Sequence, residues 1–236
     1  YIGTVDFRGT GQALNNVISG SSGDDLLYGR AGNDTLIGGD GYDQLDGGVG
    51  TDSLVGGDGS DDYVADVATD IIVEGADEGS FDTVYVEFNA AGTFTLSANV
   101  EDAYVTTMAA GINIIGNASN NEMEGNDLAN RLSGLDGGDA LSGLGGNDTL
   151  DGGNGGDYLA GGAGNDSLLG GAGDDDLDAA IGIDTVDGGM DEDTLYLIAD
   201  RADYGTIGRL NATDIVLSSG AYGENITVRN VELFAF

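Results

Sequence analysis

An apolar side chain returns every ninth residue through two long stretches of the chain, and Gly and Asp stand at fixed distances before it. Six nine-residue units start at Gly11, Gly20, Gly29, Gly38, Gly47 and Gly56. Nine more start at Gly116, Gly125, Gly134, Gly143, Gly152, Gly161, Gly170, Ala179 and Gly188. Counted from these starts, position 8 is apolar in all 15 units, from Ile18, Leu27 and Leu36 to Leu177, Val186 and Leu195. Alternation along an extended chain turns only one residue of positions 7–9 inward, so each unit predicts a three-residue strand with position 8 in the core. A single unit buries one side chain, whereas stacked units bury a continuous column. The Gly content and the lack of a 3.6-residue period exclude helix.

The remaining positions predict turns and a charged site. Position 1 is Gly in 14 of the 15 units and position 4 in 11. Glycine admits positive φ, so these positions make tight turns with carbonyls directed inward. Position 6 is Asp in 12 units: Asp25, Asp34, Asp43, Asp52, Asp61, Asp139, Asp148, Asp157, Asp166, Asp175, Asp184 and Asp193. Asn16, Asn121 and Asn130 take that place where the two stretches begin. A turn-forming role alone would accept Asn or Ser freely at this position. A carboxylate kept in phase with a core residue points to a ligand.

Composition narrows the ligand to a hard cation. The 236 residues include 43 acidic and 6 basic ones, for a formal charge of -37, and His and Cys are absent. No thiol nucleophile, disulfide, ordinary zinc site or His-based acid–base pair is available. So acidic a chain is repelled by phosphate backbones, which argues against nucleic acid as a partner. No apolar run approaches the roughly 20 residues of a membrane helix. Self-repulsion on this scale opposes compaction, yet 40% of the residues are hydrophobic, too many for an acidic disordered tail. A cation supplied from outside resolves the conflict, and carboxylates with backbone carbonyls suit calcium. The opening Tyr1-Ile2-Gly3-Thr4-Val5 lacks an initiator Met and a signal pattern, as expected of a piece of a longer chain.

The units "GRAGNDTLI", "GGAGNDSLL" and "GGNGGDYLA" resemble the RTX nonapeptide, Gly-Gly-x-Gly-x-Asp-x-U-x, of hemolysin-type calcium-binding proteins. The resemblance implies an all-β fold of two right-handed parallel β-rolls, at 11–64 and 116–196, in which two nonamers make one coil. It implies a calcium ion between units n and n+2, held by both position-6 Asp residues and by carbonyls of the Gly-rich turns. In the first array this pairs Asp25 with Asp43, Asp34 with Asp52, and Asp43 with Asp61. In the second it pairs Asp139 with Asp157, Asp148 with Asp166, and Asp157 with Asp175. The pairs Asp166–Asp184 and Asp175–Asp193 lie where Ala179-Ala180 and Asp191 depart from the glycine pattern. Pairs made with Asn16, Asn121 or Asn130 lack one carboxylate. About six to eight calcium ions are expected.

Residues 1–10 are expected to lead in with a β-strand segment. Residues 65–115 break the period and resemble spacers between RTX arrays. Ile71–Val73, Thr83–Phe88 and Thr93–Leu96 read as strands there, expected as an antiparallel-type cap. Residues 197–236 form a second expected β cap, with strands at Asp214–Leu217, Ile226–Val228 and Val231–Phe236. The apolar end is compatible with a type I secretion signal.

The functional expectation is a non-catalytic, secreted calcium-binding module of a larger bacterial protein, exported by type I secretion machinery and folded outside the cell. The alternative is an adhesin, surface-layer or polysaccharide-binding segment. Catalysis by paired carboxylates is disfavoured, because repeats give the acids near-identical environments. Tyr28, Tyr42, Tyr63 and Tyr158 read as scattered strand aromatics, with a sugar-stacking surface as the alternative.

Overall fold

The computed structural model of the chain describes residues 6–76, 81–197, 204–209, 215–219, 224–230 and 233–235. Tyr1–Val5, the expected strand residues Asp214, Val231 and Glu232, and Phe236 at the apolar end lie outside them. The chain divides into two compact units, Tyr1–Ala110 and Gly111–Phe236. All regular elements among the described residues are β-strands.

In the first unit, strands Arg8–Thr10, Leu26–Tyr28, Gln44–Asp46, Asp62–Ala65, Thr83–Val86 and Asp102–Val105 stack in parallel as one sheet. Val17–Ser19, Thr35–Asp40, Ser53–Asp58 and Ile71–Val73 stack in parallel as the other. Leu27 lies in register with Leu45, and Leu45 with Tyr63. From rung to rung the chain advances by one coil of two nonamers, as expected. Ile18, Leu36, Leu54 and Ile72 form the facing column.

The second unit repeats this plan. One sheet runs through Glu122–Glu124, Ala140–Ser142, Tyr158–Ala160, Asp176–Asp178, Thr194–Tyr196 and Leu233–Ala235. The other runs through Ile112–Ile115, Arg131–Asp136, Thr149–Asn154, Ser167–Ala172, Ile183–Met190 and Glu224–Arg229. Position-8 residues Met123, Leu132, Leu141, Leu150, Leu159, Leu168, Leu177, Val186 and Leu195 are all buried. The core is therefore a pair of facing ladders of mainly aliphatic side chains.

Strand length differs between the two sheets. One sheet keeps the expected three residues, but in the other the ladder continues through positions 1–3 of the next unit, as in Gly39↔Gly57 and Asp40↔Asp58. On the short-strand side, position 2 turns sharply. Arg30, Leu144 and Ala180 have φ of 84°, 68° and 54° there, and Leu135 has φ of 84° at the same position inside the long strand Arg131–Asp136, so this left-handed step is common to both sheets.

The first spacer departs from expectation. Ile71–Val73 and Thr83–Val86 add in parallel to the two sheets and are not antiparallel. The coil persists because acidic residues still close its turns. Asp52 N–H donates to Asp70 Oδ1 at 3.0 Å, and Asp61 N–H to Asp82 Oδ1 at 2.8 Å. Asp102–Val105 and Ile112–Ile115 are further strands that the composition of the spacer did not single out. Beyond the second array, Tyr204–Arg209, Ile215–Ser219 and Glu224–Arg229 form the expected antiparallel end. Glu224–Arg229 itself adds in parallel to Ile183–Met190.

Replacing Leu159, fully buried between Leu141 and Leu177, by Ala is expected to cost about 2–5 kcal/mol. Tyr158→Ala, at a side chain 46% exposed on the same strand, should change stability by about 0.5 kcal/mol or less. Urea midpoints in saturating calcium compare the two; equal shifts would contradict the assignment of position 8 to the core.

Candidate metal sites

All 12 position-6 Asp residues are buried, each at 3% exposure or less. Burial of so many carboxylates is costly unless each is hydrogen-bonded or neutralised. The structure supplies part of this. In each expected pair the N–H of the earlier residue donates to Oδ1 of the residue one coil later. Asp25 bonds to Asp43, Asp34 to Asp52 and Asp43 to Asp61, all at 2.7 Å. In the second unit Asp139 bonds to Asp157, Asp148 to Asp166, Asp157 to Asp175, Asp166 to Asp184 and Asp175 to Asp193, at 2.8–3.0 Å. The Asn residues join the same ladders as donors, Asn16 to Asp34 and Asn121 to Asp139. Every pair expected from the sequence is brought together, including those beside Ala179 and Asp191.

The second carboxylate oxygen has a different setting. Oδ2 of Asp34, Asp43, Asp52, Asp139, Asp148, Asp157, Asp166 and Asp175 is buried without a hydrogen-bond partner. It faces the position-1 glycine of its own unit. A methyl group placed on Gly134 would meet Asp139 Oδ2 at 2.1 Å and the carbonyl oxygen of Gly152 at 2.6 Å. The same convergence of Oδ2 and a carbonyl from the next coil recurs at Gly143, Gly152 and Gly170. Glycine is required there because two oxygens occupy the space of a side chain. Position 4 is required for its backbone: Gly155 has φ of 133°, and a methyl group there would meet Gly137 O at 1.6 Å. Rows of unpartnered carboxylate oxygens beside convergent carbonyls form an all-oxygen donor set suited to calcium.

The same setting raises the carboxyl pKa values. Burial, with neighbouring carboxylates adding to it, pushes Asp43 and Asp139 up to about 6 and Asp148 and Asp175 up to about 7. The backbone N–H bond opposes the shift in each case. A pKa raised by folding means that the folded chain holds protons the unfolded chain has lost. That stability is fully present below about pH 4 and disappears as pH rises through about 6–7. Calcium-depleted protein should therefore gain β signal by circular dichroism as pH falls from about 8 to about 5. An unchanged spectrum over that range would contradict it.

Sequence reasoning missed four acidic residues. Asp70 keeps the phase, one coil after Asp52 and two positions before the core residue Ile72, and only its glycines are missing. Asp82 follows Asp61 by 21 residues, and Glu101 Oε2 accepts from Asp82 N–H at 3.1 Å. Neither spacing is a multiple of nine. Glu74 completes a group with Asp61 and Asp82 in which one carboxylate oxygen from each lies within 4.8 Å of the others. Tyr63 is fully buried, so it forms no part of a sugar-stacking surface.

Among the described residues no helix is long and apolar enough to cross a membrane. No curated protein matches the chain. The family model of the RTX calcium-binding nonapeptide repeat (4 copies) matches at residues 10–45, 29–63, 43–72, 124–159, 151–186 and 169–197, more than half of the sequence. The third of these matches runs through Asp70, where the glycines have gone but the turn acceptor remains. The glycine cradles, the carboxylate ladders and this coverage agree, and the chain belongs to the RTX calcium-binding nonapeptide repeat family.

Proposed function

We propose that the chain is a non-catalytic calcium-binding module that folds on binding about six to eight calcium ions outside the cell. The observation that carries this reading is the set of buried Oδ2 atoms without partners, aligned along both arrays. Asp25, Asp34, Asp43, Asp52, Asp61, Asp139, Asp148, Asp157, Asp166, Asp175, Asp184 and Asp193 would hold the ions with carbonyls of the glycine turns. The ions would supply charge neutralisation and cross-links between successive coils. The arrays at 11–64 and 116–196 are the calcium-bearing regions in this reading. A chain that stays open at low calcium suits export through a type I secretion channel as part of a larger secreted protein. Metal analysis and native mass spectrometry of protein equilibrated with millimolar calcium should count six to eight ions; a count of zero or one overturns the proposal.

A second reading, a polysaccharide- or surface-binding segment, draws on a different feature. Tyr28, Gln44, Asp46, Asp62 and Tyr85 line a shallow cleft on the outer face of the first unit, and Tyr85 stacks on Tyr104 at 6.2 Å between ring centroids. Glycan-array binding lost in Tyr85→Ala would favour it.

A further inference from the structure

We infer that Asp61, Glu74 and Asp82, together with the Tyr63 hydroxyl, form a divalent-cation site for calcium that lies outside the nonapeptide scheme. This rests on the calcium reading above and adds to it a site of different construction. In the regular cradles, the position-1 glycine faces Oδ2 of its own unit and the carbonyl oxygen of the glycine one coil later, as Gly38 faces Asp43 Oδ2 and Gly56 O. One coil after Gly56 the chain has no glycine; it has Glu74. Glu74 Oε1 takes the place of the missing carbonyl. A methyl group on Gly56 would meet it at 2.4 Å, Asp61 Oδ2 at 2.1 Å and the Tyr63 hydroxyl at 1.9 Å.

Three carboxylates in one place are not by themselves a site. The independent observation is Tyr63. It stands at position 8, where every other unit has Leu, Ile, Val or Met, and it is fully buried. Its hydroxyl has no hydrogen-bond partner. A buried tyrosine normally finds a partner for that group, and this one points at the oxygens of Asp61 and Glu74. Glu74 Oε1 is also buried without a partner, while Oε2 accepts from Gly75 N–H at 3.3 Å. Asp82 is held in place by Asp61 N–H. Carboxylate and hydroxyl oxygens without nitrogen or sulfur form a hard donor set that suits calcium. Where the glycine repeat ends, side-chain oxygens replace backbone ones.

The test is calorimetric titration and native mass spectrometry of the full chain in calcium. Glu74→Gln, which keeps the shape and removes the charge, should bind one ion fewer than the wild type. Tyr63→Phe, which keeps the ring in the core, should weaken that same ion about three- to tenfold and leave the others unchanged. Asp157→Ala serves as the control in the second array. If the wild type binds no calcium, the proposed function itself fails. If the wild type binds calcium and Asp157→Ala loses ions while Glu74→Gln keeps the full count, this site alone is overturned. Should Glu74→Gln fail to reach the wild-type β spectrum at any calcium concentration, Tyr63→Phe decides, and an unchanged isotherm overturns the site.

Discussion

Calcium-depleted protein at about pH 7.5 is expected to give a largely disordered circular dichroism spectrum, and β signal should return cooperatively as calcium rises through about 0.1–1 mM. The 43 acidic residues are met by only six Arg residues, of which Arg131 reaches Asp151 at 3.9 Å. Backbone N–H groups satisfy one oxygen of ladder carboxylates such as Asp43, Asp139 and Asp157 and leave the other without a partner beside a carbonyl. Without cations these oxygens repel one another across every coil. With calcium at ten times its dissociation constant, each site adds about 1.4 kcal/mol, and six to eight sites add roughly 8–11 kcal/mol. That equals the stability of an ordinary domain, so the ions decide between folded and open chain. Magnesium should substitute poorly, because it demands tighter octahedral geometry and releases water reluctantly. A full β spectrum with an unchanged melting temperature in chelator would show that calcium is not the switch.

Asp157→Ala is expected to remove two ions, and Asp25→Ala one. Asp157 is an interior rung: its Oδ1 accepts from Asp139 N–H at 2.8 Å, and its own N–H donates to Asp175 Oδ1 at 2.9 Å. It faces a carboxylate on the coil before and another on the coil after. Asp25 faces Asp43 on one side but only the backbone of Phe7 on the other. At calcium ten times the dissociation constant, two lost sites cost about 3 kcal/mol. The orphaned N–H of Asp139 adds about 1–3 kcal/mol, whereas Asp25→Ala leaves two part-buried N–H groups, those of Phe7 and Ser21, without their acceptor. Isothermal titration calorimetry counts the ions, and one lost site in both variants would contradict the shared-ligand arrangement.

The arrays were legible because one register governs everything in them. The spacing of position 8 placed Leu27 on Leu45 and Leu159 on Leu177, and the same period placed each Asp on its partner. Strand direction in the spacer was not legible. Thr83–Val86 alternates inward and outward in the same way whether its neighbour runs parallel or antiparallel, so the pattern carries no information on direction. Asp70 could have been found by following the phase past the last glycine. Asp82 could not, because the segment before it lengthens the spacing from one coil to 21 residues. Glu74 is visible only in three dimensions, where it meets Asp61 and Tyr63 across a coil. Tyr204–Arg209 was missed because Gly205 and Gly208 interrupt the alternation that marks a strand.

The alternation of short and long strands makes the two halves of a coil unequal, and this governs how such a gene can grow. Duplicating two successive nonamers inserts one complete coil and leaves every downstream strand in its own sheet. Duplicating a single nonamer inserts half a coil and moves every downstream strand to the opposite sheet. A unit that now ends in a three-residue strand, such as Ala140–Ser142, would then sit where the partner ladder runs on through positions 1–3. The terminal strands Glu224–Arg229 and Leu233–Ala235 would meet the wrong edges. Recombination between repeats should therefore be tolerated in whole coils, although the visible sequence period is half of one.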